Sequence, residues 1–186
     1  MTAQQPTARR KAVTRGGAVV VLVSATLGAF LHQWEDGGKT QNVVYADKLA
    51  GGLPTACNGI TKHVSPVPVI VGDYWPDAKC DEIAGWVTAG TQAKLASCIT
   101  GPITQNAFDA LTSHAHNFGA GTTCASRAVW LINAGRLVEA CRSLSQKDDG
   151  TPNWSHIRQP DGSLKYIKGL HNRRIAETAL CLKGAP

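Results

Sequence analysis

The chain of 186 residues holds 43% apolar and 17% charged side chains, enough to bury a core, so disorder throughout is excluded. Its length suits one domain with an added segment, and the absence of any 20–50-residue period excludes a solenoid or propeller. The net charge of +6 gathers at the ends: residues 1–34 carry +4, residues 35–126 carry −3 and residues 127–186 carry +5.

Arg9, Arg10, Lys11 and Arg15 precede an uncharged run, GGAVVVLVSATLGAFLHQW, over 16–34. As a helix, 19 residues span about 28 Å, just enough for a hydrocarbon core of roughly 30 Å. The basic flank places the N-terminus in the cytoplasm and the rest outside. Eight of the nineteen residues are small or hydroxylated, and His32 and Gln33 are polar, so insertion is expected to be marginal. The composition favours an anchor weak enough to leave the bilayer. A permanent anchor, or a signal peptide cleaved after Thr26 and Gly28, remains an alternative. The expected organisation is a cytoplasmic basic tail over 1–15, a releasable membrane segment over 16–34 and a folded domain over 35–186.

Residues 41–61 are rich in β-branched and turn-forming residues. They predict a hairpin or three-stranded sheet turning at Ala50–Gly51–Gly52. Three prolines make 64–76 an extended connection. A helix from a cap at Asp77 to about Gly90 presents Ile83, Trp86 and Val87 on one face, and a second covers about 91–99. Gly101–Pro102 breaks the pattern. Thr104 caps a helix carrying Ala107, Phe108, Leu111, Ala115 and Phe118, closed by Gly119. Ser126 opens a helix ending near Gly135, and a shorter one covers 136–145. Two turn signals within 147–169 allow a surface hairpin. The last helix, 172–182, turns Ile175, Ala176, Ala179 and Leu180 inward. The fold class is α+β, mostly α: an apolar N-terminal helix, a small β-rich lobe and a helical lobe.

Six cysteines, Cys57, Cys80, Cys98, Cys124, Cys141 and Cys181, all follow residue 56 and form no CxxC. Zinc ribbon and thioredoxin-type chemistry therefore fit poorly, and three disulfides formed outside the cytosol fit well. His114 and His116 lack a third ligand at metal-binding spacing, so they read as packing or cleft lining; no metal or other cofactor is expected. Ser113 with His116 lacks a nucleophile elbow. The five Trp read as core or loop anchors, one of them able to stack on a sugar. Arg173 and Arg174 read as structural partners of acids. The basic C-terminal third suits an anionic polymer. Zinc-finger spacing, an RNP signature and a basic amphipathic helix are all missing, so nucleic acid is not the expected partner.

Glu35 directly follows the apolar run, Asp47 lies in the predicted hairpin and Thr55 on its next strand. A carboxylic acid, a carboxylate and a hydroxyl around one cleft are what glycoside hydrolysis requires. Solvated turn residues would look the same, so the trio alone decides nothing.

The runs Tyr45-Ala-Asp47 and GLPTACNGIT over 52–61 resemble the active-site hairpin of phage-type lysozymes, glycoside hydrolase family 24. Three later blocks resemble that family in the same order: PITQNAFDALTSHAHNFGAG over 102–121, LINAGRLVEAC over 131–141 and GLHNRRIAETALCL over 169–182. Together the blocks cover nearly all of 35–186. The resemblance implies a lysozyme-like fold and a muramidase cutting the β-1,4 bond between N-acetylmuramic acid and N-acetylglucosamine with inversion. It makes Glu35 the general acid, Asp47 the second acid and Thr55 a residue that helps position water. Eleven residues separate Glu35 from Asp47 and seven separate Asp47 from Thr55, where the family usually has eight and five. Asp36 stands where the family usually has glycine and competes with Glu35 for a role. Position in the resembling fold, together with closeness in sequence, implies the pairs Cys57–Cys80, Cys98–Cys124 and Cys141–Cys181.

The expected protein is thus an endolysin with a signal-anchor-release N-terminus. It would start as a single-pass precursor in the host inner membrane, then be released to the periplasm to degrade peptidoglycan as a monomer. A holin would act with it functionally, without direct contact. A lytic transglycosylase, which needs one acid and leaves 1,6-anhydro ends, and a non-catalytic membrane-anchored wall-binding module are the alternatives.

Overall fold

The computed structural model describes residues 12–15, 18–35, 40–48, 51–57 and 59–185. Two short antiparallel strands, β1 (Ala12–Arg15) and β2 (Ala18–Val21), precede helix α1 (Ala25–Glu35). Over the described residues 18–34 the apolar run is therefore not one helix, which corrects the expectation above. The β-branched Val19–Val21 favour extended backbone. Val23 then takes φ 52°, and the Ser24 hydroxyl accepts the Leu27 N–H at 3.0 Å, opening α1 afresh. At 11 residues, α1 is about 16 Å long, half a hydrocarbon core. Among the described residues no helix is long and apolar enough to cross a membrane.

Strands β3 (Tyr45–Asp47), β4 (Leu53–Ala56) and β5 (Ile60–Thr61) form one antiparallel sheet in that order. Its first turn closes through Gly52 N–H donating to the Asp47 carbonyl at 2.7 Å, with Gly51 and Gly52 both at positive φ. The sheet packs with Trp75, Cys80 and Ile83 into a small-lobe core.

Helix α2 (Asp77–Cys98) runs unbroken for 22 residues, where two helices were expected. Thr88, Gln92, Leu95 and Ala96 are buried along it, and this packing outweighs the roughly 1 kcal/mol that Gly90 costs a helix. Asp77 is the first helical residue rather than the cap; its Oδ1 accepts from Asn42 Nδ2 at 2.6 Å. Trp86 is exposed instead of sharing the inner face of Ile83.

The helical lobe follows: α3 (Gln105–Phe118), α4 (Ala120–Cys124), α5 (Arg127–Asn133), α6 (Leu137–Arg142) and α7 (Lys168–Leu182). Thr104 and Ser126 cap α3 and α5 with their side chains, and Gly119 turns the chain after α3 at φ 82°. Helix α3 is the axis of the larger core, with Phe108 and Leu111 buried among Leu95, Ile132 and Leu180. Gly101 lets the chain pass the end of α5; a Cβ there would stand 2.1 Å from the Ile132 carbonyl oxygen. A surface hairpin, β6 (His156–Arg158) with β7 (Leu164–Tyr166), precedes α7. Helix α7 corrects another expectation. Ile175 and Ala179 face out, while Arg173, Arg174 and Glu177 are buried with Leu180 and Cys181.

Three disulfides join Cys57 to Cys80, Cys98 to Cys124 and Cys141 to Cys181, with Cα separations of 5.8, 5.8 and 5.4 Å.

Candidate active site

A cleft of about 830 Å³ opens between the small lobe and the helical lobe. The C-terminal turns of α1 form one side through Leu31 and His32, the small lobe contributes Gln41 and Tyr45, and α2 contributes Asp81 and Thr88. His116 and Asn117 of α3 and Arg173 of α7 close the back. Of the two histidines singled out in the sequence, His116 lines the cleft and meets Thr88 Oγ1 at 3.3 Å. His114 is fully buried behind it.

Glu35 is the last residue of α1. Its position follows Gly28, Leu31 and His32, all cleft-lining, by seven, four and three residues. That is the spacing of one helical stripe. Asp36 lies outside the described residues.

Asp47 and Thr55 share one face of the sheet. Tyr45 pairs with Thr55 and Asp47 with Leu53, and positions two apart on a strand point the same way. Asp47 and Thr55 are therefore diagonal neighbours, roughly 7–8 Å apart on ordinary sheet geometry. Tyr45, on the same face, lines the cleft, whereas Asp47 and Thr55 are not among its lining residues. Thr55 is 2% exposed and its hydroxyl donates to the Leu53 carbonyl at 3.0 Å. Its proton is thus committed and its oxygen remains an acceptor.

The back wall is stiffened by a buried polar network between α3 and α7. Glu177 Oε1 accepts from Ser113 Oγ at 2.6 Å and from Arg174 Nη2 at 2.6 Å. Arg174 Nη2 also donates to Asn117 Oδ1 at 2.7 Å, and Arg173 Nη2 to Ser113 Oγ at 3.1 Å. Burial pushes the Glu177 carboxyl up and the Arg174 guanidinium down to about 10, as low dielectric disfavours charge. Arg173 and Arg174 do pair with an acid, as the spacing to Glu177 allows. That Asn117 and Ser113 complete the network was not read from the sequence; their partners lie 57 and 60 residues away. Tyr45 and His32 as cleft walls were missed for the same reason. Among the described residues no group of three His, Cys, Asp or Glu could hold a metal ion.

The Phage lysozyme family profile matches residues 35–177. A curated relative, the endolysin of Bacillus phage PZA, is 32% identical over 123 residues, covering 66% of this chain and 41% of that protein. The chain thus spans about two fifths of that relative's length. Among solved structures, the muramidase domain of SpmX from Asticaccaulis excentricus superposes with a TM-score of 0.71 at 21% identity. It covers 88% of this chain and 98% of that one. The endolysin from Escherichia coli O157:H7 phage FAHEc1 gives a TM-score of 0.71 at 23% identity, covering 88% and 94%. At these identities the two structures speak for a shared lysozyme-like fold. With a match that begins at Glu35 and runs through both lobes and the back-wall network, the chain belongs to the phage lysozyme family.

Proposed function

We propose that this protein is a muramidase that hydrolyses the β-1,4 bond between N-acetylmuramic acid and N-acetylglucosamine in peptidoglycan, as an endolysin does. Glu35 gives its proton to the leaving glycosidic oxygen. Asp47 takes a proton from a water that attacks the anomeric carbon from the opposite face, and Thr55 accepts that water's other hydrogen. The observation that carries this reading is the family match, which starts at Glu35 and takes in Asp47 and Thr55. The acceptor-only hydroxyl of Thr55, on the sheet face of Asp47, supports its role.

Residues 1–34 add a membrane stage to this scheme. They would first hold the chain in the host inner membrane and then free it to the periplasm. This rests on Arg9, Arg10, Lys11 and Arg15 ahead of the uncharged run. In that scheme the strand-and-helix arrangement of 18–35 is the freed form.

The test is clearing of purified cell walls by the wild type and by Glu35→Gln. The amide cannot donate the proton, so a loss of about 10²–10⁴-fold is expected with an unchanged circular dichroism spectrum. Asp47→Asn should also lose heavily, with Thr55→Ala between. Products should carry reducing ends; 1,6-anhydro ends would mark a transglycosylase. Near-normal clearing by Glu35→Gln would overturn the reading.

A further inference from the structure

We propose that Asp109, together with Gln92, is a positioning clamp for the helix that ends in Glu35. This rests on the reading of Glu35 as the proton donor and says what holds that donor in place.

Leu27 is the one buried residue of helix α1 among the described side chains, helped by Leu22 and Phe30 packed on the helical-lobe core. A polar hold sits at the end opposite Glu35. Ser24 Oγ donates to Asp109 Oδ2 at 2.6 Å while accepting the Leu27 N–H at 3.0 Å. Asp109 Oδ1 accepts from Gln105 Nε2 at 2.8 Å, which fixes the carboxylate from behind. The Val23 N–H donates to Gln92 Oε1 at 2.8 Å. Asp109 and Gln92 are both fully buried, on α3 and α2. Val23 is held at φ 52°, a conformation a β-branched residue keeps only where its surroundings impose it.

Asp109 bonds the hydroxyl that caps the helix leading to position 35. Helix α1 is a rod about 16 Å long from Ser24 to Glu35. A tilt of about 5° at the clamp moves its far end by about 1.4 Å, and a misplacement near 1 Å costs a reacting group about 10²-fold in rate. Oδ2 accepts from Ser24 and Oδ1 from Gln105, so the clamp needs an acceptor facing Ser24, which an amide oxygen also supplies once Gln105 turns its own amide. An apolar side chain of the same bulk would not serve.

The experiment uses the full chain with Asp109→Leu, Asp109→Asn and Ser24→Ala. Hydrogen exchange is read by mass spectrometry, and kcat and KM are read on soluble glycan-strand fragments. Asp109→Leu should speed exchange over residues 24–35 at least about 10-fold relative to α3 and α7, and lower kcat about 10–100-fold with KM within twofold. Asp109→Asn, which keeps an acceptor, should recover most of kcat. Should Asp109→Leu fail to fold, Ser24→Ala must show the same local loosening and the same kcat loss. Unchanged exchange over 24–35 overturns the clamp. Loosening with kcat intact, or exchange that rises equally in every helix, overturns the positioning role. If Glu35→Gln remains active, the reading of Glu35 fails instead, while the exchange measurement still reports whether the clamp exists.

Discussion

His114 should make the stability of this protein fall steeply in mild acid, and replacing it should flatten that fall. Its Nδ1 lies 2.9 Å from Thr123 Oγ1, and the Thr123 hydroxyl donates to the Gly119 carbonyl at 3.0 Å. The threonine proton is committed, so Nδ1 carries a hydrogen and donates. Nε2 is buried with no partner, while Phe118 and Trp154 pack against the ring at 4.8 Å each. A second proton would have to sit on Nε2 without an acceptor, near Arg174 and Arg173. Burial first, then those two charges, push the imidazole down to about 3 from its ordinary 6.5. The unfolded chain therefore binds a proton below about pH 6.5 that the folded chain refuses, and stability is lost as pH falls through that window towards 3. At pH 5 the group alone costs about 2 kcal/mol relative to neutral pH. Glu177 works in the opposite sense. Burial raises its folded-state pKa, so protonating it in acid favours the fold. The comparison must therefore be between variants. Urea unfolding of the wild type and of His114→Gln at pH 7, 6 and 5 should give curves that diverge by about 2 kcal/mol at pH 5, with the wild type losing more. Parallel pH profiles would refute the buried, neutral imidazole.

The other expectations concern packing. Replacing Cys141 and Cys181 by Ala removes a cross-link over 40 residues, worth about 4 kcal/mol in the loop-closure picture. Calorimetry should show Tm lowered by about 8–16 °C, and a shift under about 3 °C would contradict this. Cys98 and Cys124 are half-exposed whereas the other four cysteines are buried, so limited reduction followed by alkylation and mass mapping should label that pair first. Gly101→Ala would set its Cβ 2.1 Å from the Ile132 oxygen and 2.8 Å from the Asn133 Cα. It should cost at least about 2 kcal/mol in denaturant unfolding. Gly90→Ala, with open space around it, should instead stabilise by about 0.5–1 kcal/mol.

Local signals fixed those parts of the fold whose causes are local. The helix from Thr104 to Gly119 could be read from a capping threonine, apolar spacing and a terminal glycine, because all three act within a few residues. The break at Val23–Ser24 was invisible for the converse reason: its causes are Asp109 and Gln92, 85 and 69 residues away. Gly90 looked like a helix end because propensity cannot register that Gln92 and Leu95 are buried on the next turn. In α7, apolar Ile175 was turned inward by periodicity, while the real inner face is charged. Glu177 Oε1 accepts there from both Arg174 and Ser113. For the candidate site, Glu35, Asp47 and Thr55 stood out through motif likeness rather than chemistry. The cleft walls at Tyr45, His32 and His116 come from elements that only the tertiary fold brings together.

The positions of the three disulfides have a mechanical consequence. Cys57–Cys80 staples the small-lobe core, and Cys98–Cys124 and Cys141–Cys181 lie in the helical lobe. No cross-link spans the cleft. Oxidation therefore hardens each jaw separately and leaves the gape between them to α2, which carries Cys80 and Ile83 in one core and Leu95 and Ala96 in the other. The middle of that shaft holds Gly85 and Gly90, with nothing within 4 Å of where a side chain would be. A bend at the glycines themselves meets no neighbour, and the packed point between them is Thr88 against His116. Under the proposed muramidase function, a polymer strand too long to enter such a groove end-on would enter sideways through this bend.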